Sequence, residues 1–153
     1  MAAKTMDVRL ANEAWEGVLT AHATLMRRFA ATTAWDQVSM REYDVLYTLS
    51  KCEEGQRISD LQRRVLLSQP ALSRLVDRLV ERGLVSRCED AADGRAVRVN
   101  LTDEGREVQR SIGRMHARDV ADALSALTED EQRQLAALTT KLVNANQPAR
   151  STS

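Results

Sequence analysis

Between residues 8 and 31, Trp15, Val18, Leu19, His22, Leu25, Met26 and Phe29 recur at steps of three and four. That spacing predicts one stripe of a long amphipathic helix, about 36 Å from end to end. The pattern breaks over residues 32–38 and resumes at Ser39-Met40-Arg41-Glu42, where serine can cap a helix start and glutamate can reach back to it. Tyr43, Leu46, Tyr47 and Leu49 supply that helix's inner face, and Glu54-Gly55 ends it. Ser59-Asp60-Leu61-Gln62 reads as a second capping box, opening a short helix with Ile58, Leu61 and Val65 inward. A third helix follows within a few residues. Ser68 caps it, Pro70 sits in the first turn where a missing N–H costs nothing, and Leu72, Leu75, Val76 and Leu79 form its buried stripe. Gly83 stops it in the left-handed cap position.

The period then drops to two. Val97, Val99 and Leu101 alternate with Arg98, Asn100 and Thr102, as in a half-buried strand, and residues 84–88 are its expected partner. Between them Ala91-Ala92-Asp93-Gly94-Arg95 carries an Asp-Gly turn signal, which predicts a hairpin with Arg95 at its tip. Thr102 caps a second long amphipathic helix over 103–127, with Val108, Ile112, Met115, His116, Val120, Ala123, Leu124 and Leu127 on its apolar side. Thr128-Glu129-Asp130-Glu131 is a further capping box, before a terminal helix bearing Leu135, Leu138 and Leu142.

This order predicts a mainly α protein of one domain, residues 1–153. Its centre is a winged helix-turn-helix lobe over 39–102, with a two-stranded β-hairpin as the wing. Helices over 8–31 and 103–146 flank it, and 147–153 is expected to be a disordered tail. The small lobe cannot cover the apolar stripes of both flanking helices, so dimerisation through them is expected.

Charge places the function in the middle. The 22 basic and 22 acidic residues cancel. Yet residues 56–100 carry nine basic against six acidic side chains, while the segments before and after them are slightly acidic. All nine of those cations are arginine, whose planar fork suits phosphate oxygens and guanine edges. No apolar run exceeds four residues, Leu135 to Leu138, which predicts a soluble protein without a membrane span or export signal. Cys52 and Cys88 lack any Cys-x-x-Cys spacing and fit a reducing cytoplasm, and two histidines make a metal cluster unexpected. Nucleophile-elbow, phosphate-loop, dinucleotide and zinc-protease signatures are missing, so neither catalytic residues nor a cofactor is expected.

A short helix, a tight turn, a second helix and a hairpin within the arginine-rich segment point to double-stranded DNA. On the third helix Pro70, Ser73, Arg74, Asp77, Arg78 and Glu81 face away from the apolar stripe. Recognition helices enter the major groove N-terminus first, so Gln69, Ala71, Ser73 and Arg74, beside the cap Ser68, are candidates for base edges and Arg78 for phosphate. Asp77 and Glu81 are expected to pair with Arg74 and Arg78 at three-residue spacing and aim them. A solvated charged face is the alternative for this helix alone, and a winged helix used only for protein–protein contact is the alternative for the lobe.

These residues resemble the MarR family of bacterial transcription regulators over nearly the whole chain. The wing, Asp93-Gly94-Arg95-Ala96-Val97-Arg98-Val99-Asn100-Leu101-Thr102, fits the family's Asp-x-Arg followed by Val/Ile-x-Leu-Thr. The stretch from Pro70 to Leu79, then Arg82-Gly83-Leu84-Val85, is similar to its recognition helix and exit. The resemblance implies a cytoplasmic homodimer, commonly a repressor, in which each winged helix reads half of a palindromic operator. It also implies that Arg95 enters the minor groove while Asp93 orients it by a salt bridge; independently, a narrow A·T-rich groove attracts an arginine on a turn. Family members often bind small aromatic or anionic effectors, which makes His22, Trp35, Tyr43, Tyr47 and His116 effector candidates, against the plainer reading of core histidines and core aromatics. A redox-sensing role for Cys52 or Cys88 is not expected: Arg87 beside Cys88 is offset by Glu89, and the cysteine some relatives carry near the first helix's start is missing.

Overall fold

The computed structural model describes residues 7–147, which divide into two compact units meeting between Ala117 and Arg118. The first holds helix α1 (Val8–Ala30), a single 3-10 turn (Thr33–Trp35), α2 (Met40–Ser50), strand β1 (Gln56–Arg57), α3 (Ile58–Gln62), α4 (Gln69–Glu81), β2 (Val85–Asp90), β3 (Asp93–Leu101) and the first part of α5 (Asp103–Ala123). The second holds the end of α5 and α6 (Glu129–Asn146). Among the described residues this is a mainly helical winged fold with a small antiparallel sheet ordered β1-β3-β2.

Most element starts follow from their caps. Ser39 accepts from the amide of Glu42 and the Glu42 carboxylate accepts from the amide of Ser39, closing the expected box; Thr128 and Glu131 do the same for α6. Ser68 Oγ accepts from the amide of Ala71 at the head of α4. Gly83 takes the left-handed conformation, φ 71°, that lets the chain leave α4 and enter β2. Thr102 Oγ1 accepts from the Gly105 amide, 3.0 Å, and donates to the carbonyl of Gly83, 2.6 Å, tying the head of α5 to the tail of α4. Gly105 is the tightest glycine: a Cβ there would lie 1.9 Å from the carbonyl oxygen of Leu84.

The core of the first unit is one cluster. Leu46 and Leu49 of α2, Leu61 of α3, Leu72, Val76 and Leu79 of α4, Val85 and Val99 of the sheet and Ile112 of α5 are all fully buried in it. The stripe predicted for α4 is the buried one.

Three expectations are corrected. The short helix begins at Ile58 with Arg57 as its N-cap, so Ser59 lies inside it and forms no capping box. The reason is β1: Gln56 and Arg57 pair with Val99 and Arg98, and the chain turns from strand straight into helix. Next, α5 ends at Ala123 rather than 127. In the hairpin, Asp90 pairs across to Asp93, so the turn is Ala91-Ala92, and Asp-Gly opens β3. Asp90 Oδ1 accepts from the Ala92 amide at 2.9 Å, building the turn from an aspartate before it rather than a glycine within it. The stripe of α1 is largely exposed in this single chain, in keeping with a lobe too small to cover it; of its predicted members only Phe29 is buried. Of the predicted tail, residues 148–153 lie outside the described residues.

Candidate nucleic-acid interface

The cap at Ser68 leaves the first turn of α4 open to solvent. Ser68, Gln69 and Pro70 are exposed, Ala71 and Ser73 half-buried at the flanks of the helix, and Arg74, Asp77 and Arg78 exposed. The expected pairs within this helix do not form. Asp77 instead takes the guanidinium of Arg87 on β2, and among the described residues neither Arg74 nor Arg78 has an ion-pair partner. Asp77 therefore ties α4 to the wing rather than aiming its arginines.

The nine arginines that read as one basic segment divide into two populations. Arg57 and Arg98 contact Asp90, Arg63 contacts Asp60, Arg82 contacts Glu42 and Arg87 contacts Asp77. Arg64, Arg74, Arg78 and Arg95 have no carboxylate partner among the described residues. Arg82 also donates to the carbonyl of Gln37 at 2.6 Å and so latches the exit of α4 to the entrance of α2. An unpartnered guanidinium can turn all five of its N–H donors to phosphate, whereas the paired ones already give part of theirs, and part of their charge, to a carboxylate.

The wing presents Arg95 from a bulge. Glu89 faces Val97 and the next residue, Asp90, faces Asp93, so Gly94, Arg95 and Ala96 loop out of register. Asp93 is beside Arg95, as expected, but serves its backbone: Asp93 Oδ1 accepts from the Arg95 amide at 3.2 Å. No ion pair joins the two side chains among the described residues, so the contact Asp93 makes is with the backbone of the bulge and not the implied salt bridge.

At the base of the wing lies a residue the sequence reading did not select. Asp90 is 2% exposed, and its Oδ2 accepts from Arg57 Nε at 2.6 Å and Arg98 Nη1 at 3.4 Å. The hydrogen bond from Arg57, followed by that from the Ala92 amide, holds its carboxyl below the usual range against the opposing effect of desolvation, and the same contact raises Arg57. The available signal was an aspartate immediately before the turn, with Arg57 and Arg98 on the two other strands.

The effector candidates are partly gathered. His116 packs against Phe29 (5.0 Å between ring centroids), Trp35 (5.3 Å) and Tyr43 (5.7 Å), and Tyr47 stacks on Tyr43 at 6.0 Å. Trp35 Nε1 donates to the carbonyl of Phe29 at 2.6 Å. Burial pushes the Tyr43 hydroxyl up, opposed by a hydrogen bond from Gln109, and burial likewise raises the neighbouring Asp44 carboxyl, opposed by His116. His116 Nδ1 is buried without a hydrogen-bond partner. Tyr47 is 45% exposed at the rim, with Lys51 Nζ 4.5 Å above its ring. His22 is not part of the cluster; it lies on the exposed length of α1, because the neighbouring stripe positions find nothing to pack against in one chain. Both cysteines are free thiols: Cys52 accepts from Gln56 Nε2 and Cys88 from Asn100 Nδ2. Among the described residues no group of His, Cys, Asp and Glu could hold a metal ion, and no helix is long and apolar enough to cross a membrane.

Comparison with known proteins converges on one family. The MarR family's sequence model matches residues 36–96, from the approach to α2 to the wing bulge. The chain is 35% identical over 98 residues, 64% of its length, to the uncharacterized HTH-type transcriptional regulator YkoM of Bacillus subtilis. It spans 61–63% of the length of such curated relatives. The PcaV transcriptional regulator of Streptomyces coelicolor, solved in complex with its natural ligand, is 30% identical, with 96% of this chain and 100% of that one covered and a TM-score of 0.64. Sco3205 of the same organism, a MarR family regulator solved with DNA, superposes with a TM-score of 0.77 over 99% of this chain and 97% of its own at 23% identity, a likeness of fold.

Proposed function

Because the chain belongs to the MarR family, we propose that it is a cytoplasmic, DNA-binding transcription regulator. It acts as a homodimer on a palindromic operator, with α4 in the major groove and the wing at the minor groove. The observation that carries this reading is the division of the arginines. Of the nine arginines of this segment, the four without carboxylate partners among the described residues are Arg74 and Arg78 on the outward face of α4, Arg95 on the wing bulge and Arg64 after α3, on the elements a winged helix turns toward DNA. Ser68, Gln69, Ala71, Ser73 and Arg74 face base edges, Arg78 meets phosphate, and Arg95, on a bulge shaped by Asp93, reads groove width and charge.

Dimerisation is supported by apolar side chains that one chain does not cover: Trp15, Val18 and Leu19 on α1 and Leu135, Leu138, Leu142 and Val143 on α6 are exposed. The relation of half-site to protein symmetry follows from it, since two equivalent recognition helices about 34–36 Å apart, or a multiple, require a two-fold protein. Repression released by a small aromatic or anionic effector is proposed for the Trp35, Tyr43, Tyr47 and His116 cluster, with His22 omitted because it stands apart. Such a ligand releases DNA only if it binds the DNA-incompetent state more tightly.

The test is a titration against duplex DNA at several salt concentrations, followed by selection from a randomised pool. A steep negative slope of log affinity on log salt, about 0.9 per phosphate neutralised, is expected. A flat slope overturns the reading in favour of a winged helix that binds protein.

A further inference from the structure

The carboxylate under the wing joins three parts of the lobe. Its Oδ1 accepts from the Ala92 amide in the turn, and its Oδ2 from Arg57 and Arg98. Arg57 closes β1 and is the N-cap of α3. Arg98 lies in β3 and, through Nη2, also donates to the carbonyl of Gly55 at 3.2 Å. Removing a carboxylate from water costs free energy, and a hydrophobic residue of the same volume would avoid that cost. A buried aspartate divided between a turn, a strand and a helix entrance is therefore better placed to specify an arrangement than to add stability. The feature it borders is the bulge. Asp90 is the β2 residue paired with Asp93, where the register slips and the loop of Gly94, Arg95 and Ala96 begins.

We propose that Asp90 is the positioning residue of the wing: through Arg57 and Arg98 it sets the angle at which the bulge holds Arg95 relative to the helix-turn-helix. Asp90 touches no DNA itself and acts through Arg95. The proposal rests on the DNA-binding reading above, and it assigns the aim of Arg95 to a residue outside the Asp-x-Arg pair.

Asp90→Asn is nearly isosteric, keeps an oxygen for the Ala92 amide and removes the charge. A duplex selected by the wild-type protein is titrated with wild type, Asp90→Asn, Arg95→Ala and the double variant, in versions with A·T-rich and G·C-rich flanks. Arg95→Ala is expected to weaken binding to the A·T-flanked duplex at least about fivefold. Asp90→Asn should weaken it by a comparable factor, the double variant should be no weaker than Arg95→Ala alone, and the G·C-flanked duplex should respond little. A merely structural lesion would lower the active fraction alike on both duplexes and multiply with Arg95→Ala. That outcome, or full affinity in Asp90→Asn while Arg95→Ala is weak, overturns the positioning role alone. If the wild type selects no duplex, the DNA reading fails and the proposal with it. Should Asp90→Asn not fold, Arg57→Gln, which removes the 2.6 Å contact, carries the same cycle.

Discussion

The recognition helix and the wing carry the same kind of side chain under opposite regimes. On α4, Arg74 and Arg78 are exposed and have no ion-pair partner among the described residues. In the wing, Arg57 and Arg98 are committed to a buried carboxylate, and Arg95, without a carboxylate partner among the described residues, projects from a bulge whose backbone Asp93 holds. The helix thus combines fixed placement with exposed, unpaired guanidiniums, which suits the proposed reading of base edges. The wing spends two cations to place a third, which suits a groove whose width and potential are its only signal.

The largest effect should erase the contrast altogether. Leu79 is fully buried in the cluster that also holds Val85 and Val99 of the sheet. Leu79→Ala is expected to cost about 2–5 kcal/mol in thermal or denaturant unfolding and to loosen helix and wing together. Next, Leu138→Glu with Leu142→Glu places charge on the exposed stripe of α6 and should yield monomers by sedimentation. DNA affinity should then fall by about 10²–10⁴, the usual advantage of two linked sites, while each half-site preference survives. Within one lobe, Arg74→Ala should cost on the order of 1–3 kcal/mol and relax preference at one operator position, read by titrating a panel of single-base variants.

A smaller effect tests the wing from within. On charge alone, Asp93→Ala removes a negative group near phosphate and tightens binding; if Asp93 shapes the bulge through the Arg95 amide, binding weakens. Weaker binding is expected, and a lower dissociation constant than wild type would discard the shaping role. The smallest effect is in pH. The carboxyl of Asp90 lies below its ordinary value of 3.8, so its contribution to stability is fully present above that value and is lost as pH falls through the lower, folded one. The stability difference between wild type and Asp90→Asn, followed by denaturant unfolding from neutral pH downward, should therefore shrink in acid; a constant difference would sink the assignment.

Much of this was legible because it is local. The capping boxes at Ser39 and Thr128, the stripe of α4 and the glycine exit at Gly83 each depend on residues within one or two turns of helix. What stayed hidden depends on partners far along the chain. β1 is two polar residues with no pattern of their own, and becomes a strand only because β3, about 40 residues later, offers Val99 and Arg98. Its presence displaced the helix start that Ser59 signalled. Charge pairing failed likewise: spacing within α4 favoured Asp77 with Arg74, whereas the fold brings Arg87 to Asp77 across elements. The Asp-Gly pair pointed to the correct hairpin and the wrong turn, because the Asp90 carboxylate claims the Ala92 amide first. His22 joined a stripe whose partner surface is absent from one chain.

The two tryptophans of the chain stand in contrasting surroundings, and that makes the protein its own optical probe. Trp35 is held by a hydrogen bond from its indole to Phe29 and lies 5.3 Å from the ring of His116, whereas Trp15 is 61% exposed on α1. With Trp15→Phe, emission arises from Trp35 alone. The intensity of that single fluorophore would therefore report any molecule entering the aromatic cluster, without a label.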